Sequence, residues 1–165
     1  MQKKLLILLI AALFVLVSCT NRSLPERDKV ALTDKNNIRV GIPVPLEFAE
    51  ANTDFLDGIG LAQEEINARG LMGKKIEPVI VDDRGVFKDA VEVAQNLVKD
   101  PDVVAVIGHW FSGIAIPVSS IYEKAGVLSI VPTVSNPELT QKGYGFVFRI
   151  FPVIRKLPRR CAGML

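Results

Sequence analysis

Residues Val103–Val131 read VVAVIGHWFSGIAIPVSSIYEKAGVLSIV, and they hold one strand–helix–strand unit. Val103–Ile107 is an uncharged run rich in β-branched side chains, the composition of a strand buried on both faces. From Ser112 to Ala125 the period changes. Ile114, Val118, Ile121, Tyr122 and Ala125 fall on one face of a helix. Val127–Val131 is again a short apolar run and reads as the next strand. Strand, helix and strand in this order imply a βαβ unit whose two strands are parallel.

The same alternation extends on both sides. Upstream, Ile38–Val44 (IRVGIPV) reads as a buried strand bounded by Pro45. In Thr53–Arg69, residues Phe55, Ile59, Ala62 and Ile66 share one helix face, with Asn52 or Thr53 as the expected cap and Gly70 at the C-terminal end. Ile76–Val81 is the next strand and ends in Asp82-Asp83; Phe87, Ala90, Ala94 and Leu97 mark the helix after it. Phe146–Ile150 is the expected fifth strand. The fold class is therefore α/β, a parallel sheet with helices on both faces. Right-handed crossovers leave few topologies, and the expected strand order is 2-1-3-4-5.

That order locates a site. In an open α/β sheet, ligands bind beyond the carboxyl ends of the strands, where the winding reverses. Here the reversal lies between strands one and three, beside the loops Pro45–Asn52, Gly108–Ser112 and Pro132–Asn136. Ser112 stands at a helix start, so its hydroxyl either caps that helix or meets a ligand. Free N–H groups and the helix dipole make such a place a seat for a carboxylate or phosphate. The third loop offers the hydroxyls of Thr133 and Ser135 and open carbonyls. The plainer reading is that these serines cap helices or form turns.

The chain ends carry different signals. Lys3 and Lys4 precede Leu5–Val17, an uncharged apolar run of thirteen residues. A bilayer-spanning helix needs about twenty residues, so this run has the size of a secretion-signal core. It ends in Leu16-Val17-Ser18-Cys19, which resembles the lipobox of bacterial lipoproteins and implies cleavage after residue 18 with lipid on Cys19. Residues 19–37 are polar, carry charges of both signs and lack periodicity, as a tether does. Residues 19–154 carry fourteen basic and eighteen acidic side chains, a net charge of −4, although the whole chain sums to +2. A mildly acidic body without a basic stripe argues against nucleic acid as the partner. With Cys19 in the lipobox and Cys161 in the tail, a structural disulfide is not expected.

Val106–Thr140 resembles the branched-chain amino-acid binding proteins of ABC transporters. The cues are Gly-His-x-x-Ser at Gly108–Ser112, Ile121-Tyr122-Glu123, and Pro-x-x-Ser-x-Pro-Glu-Leu-Thr at Pro132–Thr140. Leu61–Gly73 (LAQEEINARGLMG) and Val81–Arg84 (VDDR) share the likeness, which covers residues 38–152. The resemblance implies a type I periplasmic-binding fold, in which two α/β lobes close on a ligand, and it assigns residues 38–152 to part of the N-terminal lobe. It implies that Ser112 meets the α-carboxylate of a small amino acid through its hydroxyl and N–H. It also implies that the Thr133 carbonyl accepts the α-ammonium, with the Thr133 side chain incidental, and that the Ser135 hydroxyl bridges both. Trp110 and Phe111 either wall the pocket or belong to the core. An exported, lipid-anchored solute-binding protein partnered with an ABC permease follows, with no cofactor. Sensing by a receptor domain of the same fold is the alternative. The chain departs from the family at Pro45-Leu46-Glu47-Phe48, where a small-residue Gly-Pro turn is common, and at Thr133-Val134, where a small pair is usual. It departs again at residues 153–165 (VIRKLPRRCAGML), which show neither the family pattern nor a clear amphipathic period. A second lobe is therefore expected to be missing from this product.

Other chemistry finds little support. Asp82-Asp83 does not sit after the first strand as a receiver's acidic cluster does, and reads instead as a solvated loop in contact with Arg84. His109 is the only histidine and lacks partners at metal-ligand spacing, so it is expected to make hydrogen bonds beside the cleft. Gly58-Ile59-Gly60 lies within a helix, where no dinucleotide fingerprint belongs, and Gly70–Lys75 lacks phosphate-loop spacing. No nucleophile–base pair is evident, so a flavodoxin-like enzyme ranks last among the readings.

Overall fold

Because adjacent strand residues point to opposite faces, each strand of this sheet presents side chains to both of its faces. The structure, a computed structural model, describes residues 37–154. The expected signal peptide, Cys19 and nearly all of the tether lie outside the described residues, as do residues 155–165. The strands are β1 (Asn37–Val44), β2 (Lys75–Asp82), β3 (Val103–Ile107), β4 (Leu128–Val131) and β5 (Val147–Arg149). All neighbours pair in parallel, in the order β2-β1-β3-β4-β5. The helices are α1 (Leu46–Ala51), α2 (Asp54–Arg69), α3 (Phe87–Lys99), α4 (Ser112–Ala125) and the single turn α5 (Glu138–Gln141). The expected α/β class, strand order and three long helices are all present. The fifth strand is shorter than expected, Val147–Arg149 rather than Phe146–Ile150.

The segment after β1 differs from the expected loop. Leu46–Ala51 forms α1, and the Leu46 N–H donates to Asp82 Oδ1 at 3.0 Å. Neither Asn52 nor Thr53 caps α2 through its side chain. The Asn52 amide instead donates back to the Phe48 carbonyl at 2.9 Å and closes α1. At the far end of α2 the reading holds, since the Gly70 N–H bonds to the Ile66 carbonyl at 2.8 Å with φ of 73°. Asn67 then clamps α2 to the start of β2, donating to the Ile76 carbonyl (2.9 Å) and accepting from its N–H (2.7 Å).

The two faces of the sheet are covered unequally. On one face, Ala90, Ala94 and Leu97 of α3 and Ile114, Val118 and Tyr122 of α4 bury a dry cluster with Val103, Val106 and Val127. Gly41 belongs to this layer. A Cβ there would lie 3.0 Å from both Leu97 methyl carbons, so the glycine lets α3 approach β1. On the other face, Val40, Ile42 and Val44 of β1 pack with Leu46, Ala49, Phe55 and Ile59 from α1 and α2. No residue of α2 is fully buried, and Ala62 of the expected inward face is exposed. Farther along this face no described helix covers β4 and β5. Leu128 is 37 % exposed, Phe148 51 % and Ile150 72 %, with half-buried Ile130 between the first two.

Gly108 has φ of 152°, and a Cβ there would stand 2.5 Å from the Pro43 carbonyl oxygen and 2.8 Å from its Cγ. Gly108→Ala is therefore expected to lower stability by about 3 kcal/mol, through backbone strain and overpacking. Gly58→Ala in α2, where a Cβ meets nothing within 4 Å, is expected to raise it by about 0.5–1 kcal/mol. Urea unfolding midpoints check both. For the bare sheet face, Leu128→Lys with Phe148→Lys is expected to reduce fluorescence of an apolar dye and light scattering, with little loss of stability. Unchanged dye binding would mean that this face is already covered.

Candidate ligand-binding site

The loop after β3 is held on three sides. The Gly108 N–H donates to the Ile130 carbonyl of β4 at 3.0 Å. The His109 ring lies between Asp83 and Tyr122, with Nδ1 2.6 Å from Asp83 Oδ2 and Nε2 2.9 Å from the Tyr122 hydroxyl. The Thr133 hydroxyl donates to the Trp110 carbonyl at 2.6 Å and so ties this loop to the one after β4. The reading from sequence left that side chain incidental; here it is a strut between the loops after β3 and β4.

These ties fix how α4 begins. Phe111 takes the N-cap position with extended dihedrals (φ −93°, ψ 137°), and Ser112 is the first helical residue. The N–H groups of Ile114 and Ala115 both reach the Phe111 carbonyl, at 3.0 and 2.8 Å. Among the described residues, the Ser112 and Gly113 N–H groups and the Ser112 hydroxyl have no partner. The alternative that Ser112 merely caps its helix does not describe this geometry. Such a helix start presents uncommitted donors and a partial positive charge.

Ser112 and Ser135 line two adjoining depressions. Ser112 shares one of about 290 Å3 with Gly113, Asn136 and Lys142. Ser135 shares one of about 890 Å3 with Asn136, Arg149 and Ile154. Asn136 borders both, and its side chain accepts the Glu138 N–H at 2.9 Å, starting α5. Val134 is fully buried against the α4–α5 cluster, while Thr133 and Ser135 on either side are half-buried. The Thr133 carbonyl and the Ser135 hydroxyl accept or donate no hydrogen bond among the described residues. The two nearby cations are already engaged. Lys142 donates to the Ile116 carbonyl at 3.1 Å, and Arg149 donates to the Asn136 carbonyl at 2.8 Å.

The two wall candidates part company. Phe111 is 41 % exposed and lines a third depression, of about 560 Å3, with Glu47, Phe48, Asp82 and Arg84. Trp110 packs behind it, with ring centroids 5.4 Å from Phe48 and 5.1 Å from Phe55. Phe48 and Glu47 reach this wall because α1 turns them there, which a loop reading of residues 45–52 did not foresee.

Asp83 also corrects the sequence reading. It is not solvated and does not meet the Arg84 guanidinium. It is 1 % exposed, accepts the Gly85 N–H at 3.0 Å on Oδ1, and faces His109 through Oδ2. Arg84 pairs with Asp89 at 2.9 Å, and that hydrogen bond raises its pKa. Asp82 is the exposed member of the pair and accepts the Leu46 and Arg84 N–H groups. Among the described residues, no three His, Cys, Asp or Glu side chains converge to hold a metal ion.

Donors at one helix start and open carbonyls on the neighbouring loop suit a small ligand with an anionic and a cationic end. Comparison with known proteins identifies the family. A family model described as "Periplasmic binding protein" matches residues 37–154. An amino acid binding protein of Pseudomonas aeruginosa is 37% identical over 117 residues, which cover 69% of this chain and 31% of that protein. A leucine-, isoleucine-, valine-, threonine- and alanine-binding protein of the same organism is 44% identical over 117 residues, covering 70% of this chain and 31% of the relative. A solved ABC transporter substrate-binding protein from Desulfitobacterium hafniense, in complex with Leu, superposes with a TM-score of 0.66 at 37% identity, over 71% of this chain and 35% of that one. The chain thus spans about a third of the length of these relatives, which are solute-binding proteins rather than enzymes. With the model matched from the first strand to the last described residue, the chain belongs to the periplasmic binding protein family.

Proposed function

We propose that residues 38–152 act as the N-terminal ligand-binding lobe of an exported amino-acid-binding protein that serves an ABC importer. The observation that carries this reading is the uncommitted start of α4, where the Ser112 hydroxyl and the Ser112 and Gly113 N–H groups have no partner among the described residues and share a depression with Asn136. In this reading Ser112 receives the α-carboxylate, the Thr133 carbonyl accepts the α-ammonium, and the Ser135 hydroxyl lies between them. A zwitterion requires donors at one end and acceptors at the other, held where water competes poorly. The ligand class is a small amino acid or a related carboxylate. Support for an aliphatic one comes from the relatives that bind leucine, isoleucine and valine. Phe111 and Phe48 then stand on the side where a ligand side chain extends.

In the same proposal, residues 1–18 are a signal peptide, Cys19 carries the lipid, residues 19–37 are the tether, and residues 153–165 lie beyond the lobe. The basic start, the thirteen-residue apolar run and the Cys after Leu-Val-Ser support it. Diacyl modification supplies the two or more chains that stable anchoring needs. Labelled palmitate is expected to enter the parent chain, and Cys19→Ala to take up none; equal labelling of the two would remove the anchor from the proposal.

Leucine titration, followed by the amide signals of Ser112 and Gly113, tests the site. Ser112→Ala is expected to weaken binding by about 1–3 kcal/mol. Thr133→Val keeps the carbonyl but loses the strut to Trp110, and is expected to cost about 1 kcal/mol, while Thr133→Ser stays near the parent. Parent-like affinity in Ser112→Ala would reject the carboxylate assignment.

A further inference from the structure

A buried chain of three polar side chains stands behind the proposed carboxylate seat without touching it. Asp83, His109 and Tyr122 are each 1 % exposed. They come from three places: the turn after β2, the loop after β3 and the third turn of α4. The geometry permits a single set of roles for neutral imidazole beside an ionised carboxylate. Asp83 Oδ2 can only accept, so Nδ1 carries the proton and donates to it. Nε2 is then the acceptor, and the Tyr122 hydroxyl donates to it. Burial, and then the charge of Asp83, raise the Tyr122 pKa, so the phenol keeps the proton it donates. The remaining Asp83 oxygen is occupied by the Gly85 N–H. Every polar atom of the three side chains therefore has a partner.

This chain grips the segment Gly108–Ser112 at its second residue. His109 is followed by only Trp110 and Phe111 before the open donors of Ser112. Rotation of the imidazole would carry the backbone with it, because the ring is locked at both nitrogens. We propose that His109, held between Asp83 and Tyr122, is a positioning residue that fixes the Ser112 N–H and hydroxyl in the direction of the ligand carboxylate. The role rests on the reading of Ser112 given above, although the local order that it predicts does not.

Two variants of the full chain separate positioning from plain core packing. Tyr122→Phe removes one hydroxyl and leaves the ring stacked on His109. Asp83→Asn has one carbonyl oxygen for two donors, Gly85 N–H and His109 Nδ1–H. Either a buried donor is left unmet or the imidazole reverses to its Nε2–H tautomer. Nitrogen-detected NMR of the parent is expected to report the Nδ1–H form, and Asp83→Asn the reversed form or a mixture. In both variants amide exchange is expected to rise about tenfold at Trp110–Gly113 and to stay unchanged in α3 and β2. Leucine affinity is expected to fall about tenfold, while the much weaker binding of leucinamide, which lacks the carboxylate, is unchanged.

Three results would overturn the proposal: an Nε2–H tautomer in the parent, exchange that rises evenly over the whole lobe, or equal losses for leucine and leucinamide. If the parent chain binds no leucine at all, the functional reading of Ser112 fails by itself. The tautomer and the exchange pattern then decide whether His109 positions this loop. Should Asp83→Asn not fold, Tyr122→Phe carries the test with the same readouts.

Discussion

A carboxylate is buried where three strands end, and the local architecture is arranged to satisfy it. An isolated ionised carboxylate in an apolar interior is penalised by many kcal/mol, so such a group persists only with dedicated partners. Asp83 has them from separate parts of the chain: the Gly85 N–H from its own turn and the His109 ring from the loop after β3. Its backbone adds a bond from the Asp83 N–H to the Val44 carbonyl at the end of β1. One residue thereby ties the ends of β1, β2 and β3, the three strands that meet at the switch point. His109 extends the tie to Tyr122 in α4. The loops at the carboxyl edge are consequently braced by interior hydrogen bonds, whereas most surface loops depend on their own turns.

That bracing was partly legible in the sequence. The βαβ rhythm identified the sheet, its order and three helices, because strands buried on both faces and helices with one apolar face leave strong periodic signals. The inward residues Ala90, Ala94 and Leu97 are among the buried core. What failed was local. Leu46–Ala51 is too short for periodicity to reveal, and Pro45 before it reads equally well as a turn. Asp82-Asp83 looked like a solvated pair because two adjacent carboxylates are usually exposed. In a strand they point to opposite faces: Asp82 turned to the α1 side, and Asp83 turned toward the layer of α3 and α4. Period-two bookkeeping from Val79 and Val81 would have flagged Asp83 as inward. The Thr133 strut had no such signal, since a hydroxyl bonding a carbonyl twenty-three residues away depends on how two loops meet.

The unequal covering of the sheet bears on where stability resides. The α3–α4 layer is dry and continuous from Ala90 to Val127. Opposite it, α2 rests on β1 and β2 without burying a single residue completely, and an apolar hollow of about 100 Å3 remains between Ile59, Ile66, Val40 and Ile76. Unfilled volume of this kind forfeits dispersion contacts on its walls. Local opening should therefore begin on the α2 side and at β5, while the elements that carry His109 and Ser112 belong to the better-packed half.

This division has a consequence for recognition in the proposed site. All amino acids share the zwitterion, so the groups that meet it need to be rigid and need not vary. The start of α4 meets that need: it stands on the dry layer and is fixed through His109, Gly108 and Thr133. Side chains differ, so the surface that sorts them has to be able to change without disturbing the rest. Phe48 and Glu47 lie on α1, a six-residue helix with only Ala49 fully buried, held from below by the Asp82–Leu46 hydrogen bond. Replacing residues there costs little core packing, and this is also where the chain departs from the usual family pattern. Phe111 links the two regions, since its backbone caps α4 while its ring faces Phe48 at 5.9 Å. A change of preferred side chain would therefore be sought first at Phe48 and Glu47, and last at Phe111, where altering the wall also risks moving the helix start proposed to hold the carboxylate.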